Sequence, residues 1–341
     1  MNKQDIILDV KNLNTSFVSN GSEVKIVKDV SLQLNRGSCL AIVGESGCGK
    51  SVTVHSIVKL LGKNARVSSD GVIYRSMHEG KIEEYRLDKL EPFGSVMRKL
   101  RGSEIGMVFQ DPMSSLNPVY RVGDQVAEGL IQHEKIGKKE AMTRVVELFK
   151  KLGIPDPERR VREYPHQFSG GMKQRVVIAI AMICNPDIII ADEPTTALDV
   201  TIQAQIMELM KNLQVHDNKS IIMITHNMGL VAEMADDVAV MYMGRIVESG
   251  KAEDIFRTPT HPYTKALLRS VPVLGMEDGM ELDTIPGTTP NPADISEGCE
   301  FAERCSECRE RCRKGTIPVQ EVAPNHFVRC MKFADEMEGE G

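Results

Sequence analysis

The apolar run Leu40 to Val43 leads into Gly44-Glu45-Ser46-Gly47-Cys48-Gly49-Lys50-Ser51, and Val54, Ile57, Val58 and Leu61 follow at helical spacing. The pattern G-x-x-x-x-G-K-[ST] between a buried strand and a helix constrains the chain more than any other stretch. Its glycines let successive backbone N–H groups curl around phosphate oxygens, and the helix N-terminus adds partial positive charge. Lys50 is expected to bridge terminal phosphates and the Ser51 hydroxyl to ligate magnesium. Cys48 fills a free position of the loop and is assigned no redox role.

The rest of the chain supplies a sheet for such a loop. Residues 6 to 43 read as strands, and residues 62 to 104 as an antiparallel patch with an insertion. GMVFQ at 106 to 110, DIIIADEP at 187 to 194 and SIIMITH at 220 to 226 read as buried strands. Residues 111 to 165 are helix-rich, with AMTRVVELFKKLGI as one amphipathic helix closed by Gly153 and Pro155. VAVMYMGRIVESG reads as a hairpin. Strands alternating with helices indicate a parallel α/β sheet. No long internal repeat interrupts this order.

Asp192 and Glu193 end the run Ile188-Ile189-Ile190-Ala191. A carboxylate at the tip of a buried parallel strand lies where sheet ligands bind. Asp192 is expected to hold magnesium and Glu193 to polarise an attacking water.

Phe168-Ser169-Gly170-Gly171-Met172-Lys173-Gln174-Arg175 resembles the signature loop of the ABC ATPase family, and it precedes Asp192-Glu193 by a short helix and strand. The resemblance spans about residues 5 to 255. It implies that Gln110 is the Q-loop glutamine, which senses magnesium and the transmembrane subunit. It places Ala197-Leu198-Asp199 as the D-loop, His226 as the switch histidine and Phe17 as the ring that stacks on adenine. The nucleotide contacts then run over Gly44, Ser46, Gly47, Cys48, Gly49, Lys50, Ser51 and Val52. In the family two such domains sandwich two ATPs head to tail, so Ser169, Gly170, Gly171 and Asp199 would face nucleotide held by the other subunit. The fold implied is α/β, a phosphate-loop ABC-type nucleotide-binding domain with a mixed sheet, an antiparallel subdomain and a helical subdomain.

Finer details resemble one branch. FQDPMSSLNP at 109 to 118, the continuation Met172-Lys173-Gln174-Arg175, and Thr258-Pro259-Thr260-His261-Pro262-Tyr263-Thr264 are similar to ATPases of oligopeptide, dipeptide and nickel importers. His261 to Tyr263 also read as a turn before a helix and are given no chemistry. The resemblance implies an importer with two membrane permease subunits, a second ATPase subunit that is often non-identical, and an extracellular or periplasmic peptide-binding protein. Residues 111 to 165 would dock the permeases. The expected division is a nucleotide-binding domain at 1 to 256 and a small Cys-rich C-terminal appendage at 257 to 341, where Pro, Gly, Thr and Cys become frequent.

Bulk properties agree with a protein working peripherally at the cytoplasmic face of the membrane. A formal charge of −6 gives no overall basic field, and nucleic acid is not expected as a partner. The start MNKQDIILDV has no signal-peptide pattern, and no run approaches the ~18 apolar residues that span a bilayer. A soluble ABC ATPase in DNA repair, translation or iron–sulfur assembly is the alternative. The chain lacks the long coiled coil of repair members and the second cassette of translation members.

Of eight cysteines, Cys39, Cys48 and Cys184 are scattered and read as small buried apolar residues. Cys299, Cys305, Cys308, Cys312 and Cys330 crowd the last fifth, and in a reducing compartment such crowding points to metal. Thiolates suit zinc or an iron–sulfur cluster, and free thiols or disulfides are the third reading. The resemblance implies a 4Fe-4S cluster on Cys299, Cys305, Cys312 and Cys330, with Cys308 additional. Its role would be a structural staple, and its loss is expected to spare the phosphate site, assigned to another domain.

Overall fold

The computed structural model describes residues 5–19, 21–78, 80–196, 198–270, 285–288, 290 and 297–338. Ala197 of the expected D-loop lies outside the described residues. The chain forms two compact units of discontinuous stretches, one from residues 1–8, 34–39 and 74–224, the other from 9–33, 40–73 and 225–341.

In the first unit the strands Ile105–Val108, Ile188–Asp192 and Ser220–Thr225 run parallel, with Ile105 opposite Ile188 and Ile189 opposite Ile221. Every residue of the latter two strands is buried. Their continuous apolar runs suit strands covered on both faces. The helix Lys138–Lys151 buries Ala141, Val145 and Phe149. It stops in a Schellman motif: Gly153 takes φ 67°, its N–H donates to Lys150 and the Ile154 N–H to Phe149. The helix Val122–His133 precedes it, and Gly170–Met182 and Val200–Val215 follow.

The second unit contains a mixed sheet. Cys39–Val43, which carries the phosphate loop at its end, pairs parallel with Asp237–Tyr242. That strand turns through Met243 and Gly244, both at positive φ, into the antiparallel strand Arg245–Lys251. Two such residues are the signature of a type I′ hairpin. His326–Arg329 then pairs antiparallel with Arg245–Lys251, and Val319–Ala323 with His326–Arg329. The strands within residues 319–329 thus continue the hairpin's sheet through backbone hydrogen bonds. The antiparallel patch is present as well: Ala65–Ser68 pairs antiparallel with the long strand Ile6–Ser19.

Candidate nucleotide site

The phosphate loop leaves its strand at Gly44 and enters the helix Lys50–Ile57 from Gly49, whose φ is 104°. A Cβ at Gly44 would collide with the backbone oxygen of Met241, so only glycine lets the loop pass that strand. Ser46 and Gly47 are exposed, and Ser51 and Val52 are half-buried. The buried Lys50 ammonium donates to the carbonyl oxygens of Gly44 (2.8 Å) and Glu45 (2.9 Å). Cys48 turns inward and is fully buried, which raises its thiol pKa and removes it from reaction.

Phe17 is half-buried on the strand Ile6–Ser19. It shares a face with Thr15, whose Oγ1 lies 2.7 Å from the Ser56 Oγ of the phosphate-loop helix. His226 follows the strand Ser220–Thr225 directly and is exposed, and Asn227 caps the next helix by accepting from Gly229 and Leu230.

In the other unit Asp192 is buried at the end of its strand. Glu193 follows with φ 46°, in the left-handed region that a non-glycine residue adopts at a cost of order 1 kcal/mol. Its N–H donates to Ile224 (3.0 Å), so the turn is fixed by the neighbouring strand. Its Oε2 accepts from Gln110 Nε2 (3.1 Å) and from the Thr196 hydroxyl (2.9 Å). Gln110 and Glu193 are therefore brought together. Sequence alone does not mark Thr196 as a partner, although its place three residues after Glu193 in a tight turn is the kind of spacing that brings a hydroxyl back onto a carboxylate.

Ser169 and Asp199 are both helix N-caps. The Ser169 Oγ accepts from Met172 N (3.3 Å) and the Asp199 Oδ1 from Ile202 N (3.0 Å). A Cβ at Gly171 would stand 2.7 Å from Ile202 Cγ2, so the two capped helix starts pack against each other. Ser169 and Gly170 are exposed.

His261 to Tyr263, given no chemistry from sequence, reach the loop. His261 Nδ1 accepts from the Tyr263 N–H (3.0 Å) and caps the helix Pro262–Arg269, while the Tyr263 hydroxyl accepts from the Glu45 N–H (2.9 Å).

Cys39 is buried and Cys184 half-buried. Cys299, Cys305, Cys312 and Cys330 line one cavity with Phe301 and Lys332, and among the described residues Cys308 is not part of that lining. Burial pushes the Cys299 thiol up to about 12 and Cys305 to about 11. Tetrahedral zinc, with Zn–S near ~2.3 Å, holds its thiolates roughly 3.8 Å apart. Among the described residues no three His, Cys, Asp or Glu side chains are grouped to hold a single metal ion. The arrangement shows neither a zinc site nor a cluster site among the described residues.

No helix among the described residues is long and apolar enough to cross a membrane.

The ABC transporter family profile matches residues 27–196, and the oligopeptide/dipeptide transporter C-terminal region matches residues 247–312. A putative peptide import ATP-binding protein of Brucella ovis is 48% identical over 335 residues, covering 96% of this chain and 98% of its own. The dipeptide transport ATP-binding protein DppD of Bacillus subtilis is 50% identical, covering 95% and 94%. The oligopeptide transport ATP-binding protein OppD of the same organism is 50% identical, covering 95% and 88%. Among solved structures, the dimeric ATP-binding cassette MJ0796 in a post-hydrolysis state with ADP and phosphate aligns with a TM-score of 0.60 at 27% identity, over 72% of this chain and 98% of that one. Relatives this similar over nearly the whole length, joined to both family matches, show that the chain belongs to the ABC transporter ATP-binding proteins, in the branch that carries the oligopeptide/dipeptide transporter C-terminal region.

Proposed function

We propose that the chain binds and hydrolyses ATP to power peptide import, as a peripheral subunit on the cytoplasmic face of the membrane. The observation that carries the chemistry is the Glu193 carboxylate, set in a left-handed turn and held by Gln110 and Thr196. A carboxylate so fixed can orient a water for attack on a phosphoryl group. Lys50 would leave its two carbonyl partners for the β- and γ-phosphates, and Ser51, Asp192 and Gln110 would hold magnesium. Phe17 would lie on adenine, and His226 would report the γ-phosphate. Peptide as cargo is supported by the relatives, which are peptide import, dipeptide and oligopeptide transport ATP-binding proteins.

A head-to-tail dimer is supported by the dimeric MJ0796 cassettes. In it the exposed Ser169 and Gly170, with Gly171 and Asp199, would close on the partner's nucleotide. The second ATPase subunit is proposed to be non-identical, and an extracellular or periplasmic binding protein to deliver the peptide. Met113, Val119 and Tyr120 are 63%, 72% and 59% exposed, and such apolar side chains near the start of the helical region 111 to 165 suit docking of two permeases.

The Cys-rich region at 257 to 341 is proposed to hold a 4Fe-4S cluster. Four thiols around one cavity offer one donor for each corner of a cuboidal cluster, and Cys308 stands outside that set. Such a cluster would cross-link the segment Cys299 to Cys312 to Cys330 and so staple a region with little core of its own.

The test is purification of the tagged chain from membranes, followed by ATPase assay of the complex in vesicles with and without peptide. Permease subunits co-purifying, with peptide-stimulated hydrolysis, support the reading. Nucleic acid, ribosomes or cluster scaffolds in their place favour a soluble ABC ATPase.

A further inference from the structure

Glu45, the second residue of the phosphate loop, is held on both backbone and side chain by residues far along the chain. Its N–H is taken by the Tyr263 hydroxyl. Its carboxylate accepts two hydrogen bonds from Arg304, from Nη1 at 2.6 Å and Nη2 at 3.0 Å. Arg304 belongs to the short turn Ala302–Arg304, between Cys299 and Cys305. Its guanidinium is itself fixed: Nε donates to the Pro286 carbonyl (2.8 Å), Nη1 to the Tyr242 hydroxyl (3.3 Å), and the Tyr242 and Phe301 rings lie 5.8 and 6.0 Å from it. The side chain is 6% exposed.

A carboxylate in a phosphate loop opposes the ligand. It adds negative potential where a polyanion must enter, and left alone it competes for the loop's donors. A planar guanidinium that grips both carboxylate oxygens neutralises that charge and fixes its direction, which a point charge does less well. We propose that Arg304 is a positioning residue of the phosphate loop, through which the Cys-rich region sets the loop's affinity for nucleotide. The proposal rests on reading the loop as the ATP phosphate site.

The experiment is a fluorescent-nucleotide titration of the purified full chain with magnesium present. Arg304→Met should weaken binding about tenfold, as expected for loss of a fork–fork pair beside the ligand. Glu45→Gln should strengthen binding, because a negative charge is gone. The double variant should return to near the wild-type affinity, and Arg304→Lys should fall between wild type and Arg304→Met. Rescue by Glu45→Gln is the readout that a merely structural role would not give. Unchanged affinity in Arg304→Met overturns the proposal, as does a double variant no better than Arg304→Met. Should Arg304→Met fail to fold, Arg304→Lys with and without Glu45→Gln decides on the same criterion. Wild-type chain that binds no nucleotide would instead remove the underlying reading of the loop. Wild-type binding that Lys50→Ala abolishes keeps that reading intact whatever Arg304 does.

Discussion

Gln110 and Glu193 meet through a 3.1 Å hydrogen bond from the amide Nε2 to the carboxylate Oε2, and Thr196 donates to the same oxygen. One carboxylate oxygen is thereby committed to the protein, which sets the direction of the other. Glu193→Gln keeps the shape and removes the basic group. Hydrolysis by the assembled complex should fall about a hundredfold or more, while ATP affinity stays near wild type. Single-turnover and steady-state ATPase assays check this, and near-normal turnover would take the role from Glu193.

Ser169→Arg should impair hydrolysis at the partner's nucleotide while this chain's own nucleotide still binds. Ser169 is exposed at the start of its helix, and a long cationic side chain there would obstruct closure of the dimer. Gly171→Ala should act in the same sense, since its Cβ would press on Ile202 at 2.7 Å and shift one capped helix start against the other. A mixed complex with one altered subunit measures both. Loss of nucleotide binding by the isolated variant would show that the signature loop does not act across an interface.

The features that sequence revealed are those written in contiguous residues. The phosphate loop, the apolar run before Asp192 and the Gly153 helix stop each depend on neighbours in the chain, so their patterns survive in one dimension. What sequence did not reveal is long-range and made by side chains. Arg304 and Glu45 lie 259 residues apart, and nothing local marks an arginine between two cysteines as a partner for a phosphate loop. The strands Val319–Ala323 and His326–Arg329 are short, and the first is mostly exposed, so no clear alternation marked them. Those two strands and that ion pair are why the C-terminal region reads as separate in composition yet is joined to the hairpin in space.

Cys184 offers a check on packing. Desolvation, reinforced by the Glu134 carboxylate, pushes its thiol up to about 11 from an ordinary 9.0. In the folded chain it should therefore resist iodoacetamide at pH 9, with labelling rising only as pH nears 11. The folded pKa lies above the unfolded one, so this thiol's contribution to stability is complete below pH 9 and is lost as pH rises toward 11. Mass-spectrometric labelling against pH measures it, and rapid modification of Cys184 at pH 8 would contradict the burial.

The cysteine region gives the last test. Anaerobically purified protein should be brown, with about four iron and four sulfide per chain, and dithionite should bleach it. Serine at Cys299, Cys305, Cys312 or Cys330 should each cost the cluster, because a hydroxyl replaces a soft thiolate poorly. Serine at Cys308 should be tolerated, since that thiol is not part of the cavity lining. From sequence the phosphate site is expected to be indifferent to these changes. The geometry argues otherwise: Arg304 directly precedes Cys305, and its grip on Glu45 depends on the fold of that turn. Serine at Cys299 or Cys305 should therefore weaken nucleotide binding in the direction of Arg304→Met, and adding Glu45→Gln should relieve the loss. Iron content and visible absorbance report the cluster, and nucleotide titration reports the loop, so the two can fail separately. Colourless protein with stoichiometric zinc would sink the cluster. A cluster lost from Cys305→Ser with nucleotide affinity unchanged would instead show that the turn holds Arg304 without help from the thiols.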